Sequence, residues 1–408
     1  MMGCRHLINK IITLMITILV AFGIINQPVN TTSSVRMQTA TPAVASRTKE
    51  TTQPAATATP EEKSATATLV IPTATQDPLT FRPEPGSVCS FDPEIENLLA
   101  SLDPADWVNW IELLSGEKPV TMGGETYTIL TRFTESMFSG DPNARAYEFV
   151  TDQLRAWGYQ DNIDLFEHTY EPFTGRPSST WKNAIVLIPG NDPDLSHEQV
   201  LMTAHLDSTS QGDPEERAPG ADDNGSGVAT LLEAARVLKG QTFKRTIKII
   251  FFTGEETGLH GSRAYVNDYR NDMANIIGVF NLDMFGYDGD KDRCFEIHAG
   301  WMPASNLIAG CLADTIEIYD PDLKFDYLVD KARGSSDHTS FWDAGVGAIE
   351  ILENFDTHGY TGGCGESDIN PHYHTERDLI DAMNIDTGHA IARAAIAAAA
   401  RLAEPMGN

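Results

Sequence analysis

Four stretches of this 408-residue chain set acids or a histidine directly after, or within, apolar runs. Residues 200–208 (VLMTAHLDS) place His205 at the end of an apolar strand with Asp207 two positions on. Residues i and i+2 share a strand face, so the Asp207 carboxylate can accept a hydrogen bond from the imidazole and orient it. Residues 218–229 (APGADDNGSGVA) put Asp222 and Asp223 before a glycine-rich turn. Helix capping would account for Asp223 and Asn224, but two acids in succession exceed what a cap requires. After the strand-like TIKIIFF of residues 246–252 come Glu255 and Glu256. Two carboxylates at the mouth of a buried strand repel each other unless a cation or protons relieve them. They could divide the work, Glu256 binding metal and Glu255 holding a proton. Residues 279–286 (VFNLDMFG) place Asp283 in an apolar segment, where a buried acid needs a partner. Further on, residues 334–345 (GSSDHTSFWDAG) offer Ser336, Asp337 and His338, and residues 370–378 (NPHYHTERD) offer His372, Tyr373 and His374. These histidines compete for any remaining ligand position, and spacing alone does not choose among them.

His, Asp, Glu and Asp at four successive strand ends converge on one edge of a sheet. Zinc takes imidazole and carboxylate ligands, and two ions bridged by one carboxylate would use these residue types. A serine nucleophile is disfavoured because the chain has no G-x-S-x-G elbow.

The elements that must hold these residues follow from alternating periodicity, the mark of an α/β domain. Residues 142–159 carry apolar positions at helical spacing, and 163–170 read as a strand. Short apolar or β-branched runs at 183–188, 200–206 and 246–253 are further strands, and 227–239 (GVATLLEAARVLK) is an amphipathic helix. Strands are expected at 278–284, 294–298 and 347–352, and a closing helix at 386–402. The expected fold is a single catalytic domain with a mixed, mostly parallel central sheet flanked by helices on both faces. In such sheets ligands gather beyond the carboxyl ends of strands, where the acids and histidines stand.

Residues 1–26 begin with Arg5 and Lys10 and continue uncharged from Ile11 to Ile25, the order of an export signal or an uncleaved N-terminal membrane anchor. The run is short for a membrane span of about 20 apolar residues. Residues 27–88 are rich in Thr, Ala, Pro and Ser, with too few large apolar side chains to order, and read as a disordered linker. The net charge is −29, and the first 88 residues carry no acidic excess, so residues 89–408 hold the whole surplus. Nucleic acid and anionic membrane are disfavoured as partners, and cationic groups such as a free α-ammonium are favoured. Beyond Cys4, the cysteines Cys89, Cys294, Cys311 and Cys364 allow two disulfides in three pairings, and no C-x-x-C suggests a thiolate zinc site.

The succession H-x-D, P-G-A-D-D-N-x-S-G, G-E-E-x-G-L-x-G-S, N-x-D-M, S-D-H and Y-H-T-x-x-D resembles the secreted bacterial dinuclear-zinc aminopeptidases, across about residues 183–385. Glutamate carboxypeptidases and glutaminyl cyclases belong to the same wider family. The resemblance implies a zinc exopeptidase acting on peptides with a free N-terminus and holding two Zn²⁺. His205 and Asp283 would bind one ion, Glu256 and His374 the other, and Asp222 would bridge them. Asp207 would orient His205, Glu255 would be the general base, and Tyr373 would donate a hydrogen bond to the oxyanion. Asp223 and Asp337 would support the site, and a cis peptide is expected at Asp222–Asp223. Some members carry an arginine just before S-D-H; Ser335 stands there in this chain, with Arg333 two places earlier, so pocket residues do not transfer.

Glutaminyl cyclase is the nearest rival enzyme, with a single zinc; His205 and Asp283 together argue for two. A carboxypeptidase would want a basic cluster, which is not evident. A catalytically dead, receptor-like protein would lack ligands or the base, and here all six positions are filled.

Overall fold

Pro93 and Pro104 each follow an aspartate, and both pairs open helices. Asp92 and Asp103 accept hydrogen bonds from the amides of Glu94 and Ala105, capping α1 (Pro93–Leu99) and α2 (Pro104–Leu114). A short hairpin, β1 (Val120–Met122) and β2 (Glu125–Tyr127), leads to α3 (Ala144–Ala156). The computed structural model describes residues 82–134, 143–172, 180–356 and 363–407. The export segment and residues 27–81 of the linker lie outside them.

Eight strands form the central sheet. In chain order they are β3 (Leu165–Tyr170), β4 (Trp181–Ile188), β5 (Gln199–His205), β6 (Thr246–Phe252), β7 (Ile276–Leu282), β8 (Cys294–His298), β9 (Lys324–Leu328) and β10 (Ala348–Glu353). Their spatial order is β3-β4-β6-β5-β7-β10-β8-β9. The four central strands, β6, β5, β7 and β10, run parallel, while β4 and β8 are antiparallel to their inner neighbours. The sheet is therefore mixed and mostly parallel, as expected from the sequence.

Burial on both faces explains the unbroken apolar runs. Val200, Met202 and Ala204 of β5 point into the core beneath α4 (Gly227–Leu238), α6 (Pro303–Tyr319) and α8 (Ile385–Ala403). Leu201 points the other way, into a second core with Tyr265 of α5 (His260–Asp268) and Phe341 of α7 (His338–Asp343). Helix α6 was not anticipated. Ser305 to Ile316 is buried almost without interruption, so it lacks the polar stripe that marks an amphipathic helix.

The folded part begins upstream of residue 89, the expected boundary. The amides of Gly86, Val88 and Cys89 all donate to the buried Asp314 carboxylate of α6, and Arg82 lies over the Phe325 ring. The disulfides are Cys89–Cys311 and Cys294–Cys364. The first fastens the entry segment to α6, and the second fastens β8 to the loop after β10. No helix among the described residues is long and apolar enough to cross a membrane.

Candidate functional site

His205 is the last residue of β5, Glu255 and Glu256 follow β6, and Asp283 follows β7. These three strands are neighbours in the sheet, so their carboxyl ends bring the side chains together. His374 enters from the loop after β10, and residue 223 from the loop that opens α4.

The geometry turns on that loop. Nε2 of His205 lies 3.0 Å from Asp283 Oδ1 and 3.2 Å from Asp223 Oδ1. Nε2 of His374 lies 3.1 Å from Asp223 Oδ2 and 3.0 Å from Glu256 Oε2. Asp223, not Asp222, therefore stands between the two histidines. Asp222 accepts from the Gly286 amide at 2.7 Å and from Asn370 Nδ2 at 3.2 Å, beneath the site. The reason is local: Asp223 has an extended backbone (φ −103°, ψ 95°), and consecutive side chains of extended chain leave on opposite sides. The cis peptide expected at Asp222–Asp223 is at Asp223–Asn224.

Asp207 also differs from expectation. His205 Nδ1 bonds the backbone carbonyl of Asp207 at 3.0 Å, while the Asp207 carboxylate is 3.7 Å away. A carbonyl only accepts, so Nδ1 carries a ring proton, and Nε2 is the nitrogen turned to the acids. The carboxylate instead receives the amides of Glu255 and Glu256 at 3.2 and 3.3 Å, holding the loop that presents both glutamates.

His338 turns Nε2 to the Arg333 carbonyl at 2.9 Å, and the ring of His372 makes no ion pair with the cluster among the described residues. Asp337 is fully buried near His205, Asp207 and Asp283, and burial pushes it up to about 7. Tyr373 stacks on the His374 ring, centroids 3.8 Å apart, and burial, then the nearby acids, drive its hydroxyl well above the ordinary range. It is a proton donor at any physiological pH.

Arg132, which the sequence did not single out, and Asp378, which closes the Y-H-T-x-x-D motif without an assigned role, hold the loops in place. Asp378 accepts the amides of Asp222 and Asp223 at 3.2 and 3.0 Å. Arg132 is wholly buried and donates to the carbonyls of Leu114, Leu206, Pro219 and Gly220, tying the end of β5 to the Asp222–Asp223 loop. Burial lowers it to about 10 against the pull of Asp378 and Asp223. Three non-glycine residues around the site, Leu259, Met284 and His374, have left-handed backbones with φ of 58°, 39° and 54°. L residues adopt such angles at a cost of about 1–2 kcal/mol, here set against the placement of a site side chain.

Charge in the cluster calls for a cation. Burial first, then repulsion from Asp283 and Glu256, holds Glu255 well above the usual carboxylate range; burial and Asp223 hold Glu256 up at about 7. Burial would pull His374 down, but Asp223 and Glu256 raise it to about 10. Glu256 Oε1 is buried without a hydrogen-bond partner among the described residues. Ligand atoms of His205, Asp223 and Glu256 lie within 4.8 Å of one another. Imidazole nitrogen and carboxylate oxygen in this arrangement fit a divalent ion of the zinc type. The cleft above them has a volume of about 320 Å³.

Comparison with known proteins now decides the family: residues 183–399 match peptidase family M28. The chain belongs to peptidase family M28. Leucine aminopeptidase 1 of Trichophyton equinum is 34% identical over 215 residues, covering 50% of this chain and 52% of that protein. The chain thus spans about half the length of that curated relative. Among solved structures, Legionella LapA has a TM-score of 0.59 at 22% identity, over 78% of both chains. Porphyromonas gingivalis glutaminyl cyclase has a TM-score of 0.52 at 19% identity, over 72% of this chain and 96% of that one. Both likenesses are of fold alone.

Proposed function

We propose that this M28 protein is an exported zinc exopeptidase that removes the amino-terminal residue from peptides. The observation that carries the reading is the Asp223 carboxylate, whose two oxygens face two different histidines, each with a further carboxylate at 3.0 Å. That is the donor arrangement for a pair of ions. His205 and Asp283 would hold one, Glu256 and His374 the other, and Asp223 both. The relatives named leucine aminopeptidase support the same reaction.

Zinc, when bound, supplies Lewis-acid charge that makes water acidic near neutral pH and stabilises a developing oxyanion. Glu255, its pKa raised by burial, takes the proton of the attacking water and passes it to the leaving amine. Tyr373, protonated and stacked on His374, donates a hydrogen bond to the carbonyl oxygen as it gains charge. Asp207 holds Glu255 and Glu256 through their amides. The acids lining the cleft favour a free α-ammonium over a blocked terminus.

Export is supported by the basic-then-apolar opening of residues 1–26 and by two disulfides, which persist in oxidising compartments. An uncleaved opening segment would tether the enzyme to the surface. A panel of free and N-acetylated chromogenic peptides tests the reaction: free substrates should be cleaved and acetylated ones spared. Equal cleavage of both would rule out exopeptidase action on the amino terminus.

A further inference from the structure

Besides the metal-ligand cluster, the cleft is lined by Met284, Glu350, Leu352 and Phe355. Glu350 lies on β10 in register with Asn281 of β7, near Asp283. It is 1% exposed and lines this cleft. Its Oε2 has no hydrogen-bond partner among the described residues.

Every nearby candidate for a counterion is engaged elsewhere. The closest nitrogens, His298 Nδ1 and His338 Nε2, are each 3.8 Å from Oε2. His298 Nδ1 accepts from the Arg333 amide at 2.8 Å, and its Nε2 faces Glu296 at 2.8 Å. His338 gives its Nε2 proton to the Arg333 carbonyl, and burial lowers it to about 3, so it is neutral. The Arg333 guanidinium is engaged by both oxygens of Asp356 and lies over the Phe355 ring. Nor is Glu350 needed to balance two divalent ions, whose charge Asp223, Glu255, Glu256 and Asp283 can offset. What remains is a buried acid on the wall of a substrate cleft, held well above the usual carboxylate range by burial first and then by Asp283, and approached past the apolar surfaces of Met284, Leu352 and Phe355.

That arrangement suits a long side chain with an apolar stem and a cationic end. We propose that Glu350 is a specificity-determining residue, selecting peptides whose amino-terminal residue is lysine or arginine. The inference rests on the exopeptidase reading above. A cationic end would favour the ionised form of Glu350 and pair with it, whereas an apolar side chain would leave the buried acid without a partner, and that difference sets the preference.

The test compares kcat/KM for arginine, lysine and leucine p-nitroanilides in the zinc-loaded full chain and in Glu350→Gln, a near-isosteric change. Calorimetric titration with L-argininamide and L-leucinamide provides a readout that needs no turnover. In the native protein the arginine-to-leucine ratio should exceed about ten, and in Glu350→Gln it should fall by about thirtyfold, as expected for loss of a desolvated charge pair. The titrations should show the same order. A native protein that cleaves or binds the leucine compound as well as the arginine one would overturn the inference. So would an unchanged ratio in Glu350→Gln. If no free peptide is cleaved, the exopeptidase reading fails, while the amide titrations still decide whether Glu350 recognises a cation.

Discussion

Asp222 and Asp223 are neighbours in sequence but belong to different networks. Asp223 spans His205 and His374, whereas Asp222 lies beneath them on the Gly286 amide and Asn370. Exchanging either acid should therefore produce a different failure. Asp223→Ala should lower zinc stoichiometry and reduce kcat by about 100-fold or more, since ligand loss exceeds typical outer-shell effects. Asp222→Ala leaves the Gly286 amide without its acceptor and should cost about 1–3 kcal/mol of stability. Metal analysis and thermal unfolding of the two variants distinguish these effects.

Among the described residues Glu255 makes no ion pair, yet its amide is fixed by Asp207. Glu255→Gln should keep zinc and leave KM nearly unchanged while kcat falls about 10²–10⁴-fold, the range for a lost general base. Unchanged turnover in a zinc-replete variant would place the base elsewhere.

Arg132 satisfies four backbone carbonyls from inside the fold. Arg132→Met strands those carbonyls and removes the cation facing Asp378 and Asp223. A loss of about 3–5 kcal/mol is expected from breaking such a buried network. Chemical denaturation measures it, and a loss below 1 kcal/mol would show that the carbonyls find other partners.

His389 on α8 is held down at about 4, first by burial and then by Arg393, against an ordinary value of 6.5. Between those values the unfolded chain binds a proton that the folded chain refuses. Stability should therefore fall as pH drops from 6.5 towards 4, and the His389→Gln variant should flatten that part of the profile. Denaturation midpoints at stepped pH give the answer.

Much of the fold was legible because its central strands are buried on both faces. β5, β6 and β7 read as apolar runs, and the acids after them stand out against that background. The structure brings His205, Glu256, Asp283 and His374 into one cluster, the residues at or beyond strand ends. Which of two adjacent aspartates faces the cluster depends on one residue's backbone angles, which residue type does not encode. Arg132 acts on backbone groups far away in sequence, so no spacing reveals it, and Asp378 closes the Y-H-T-x-x-D motif without its partners being visible there. Helix α6 was hidden by its burial, and the pairing of Cys89 with Cys311 by the 222 residues between them.

Anomalous diffraction at the zinc edge, on crystals of the zinc-loaded protein, tests the central claim most directly. Two peaks should flank the Asp223 carboxylate, one against His205 and Asp283 and the other against Glu256 and His374. A single peak, or peaks that leave Asp223 without a metal contact, would contradict it.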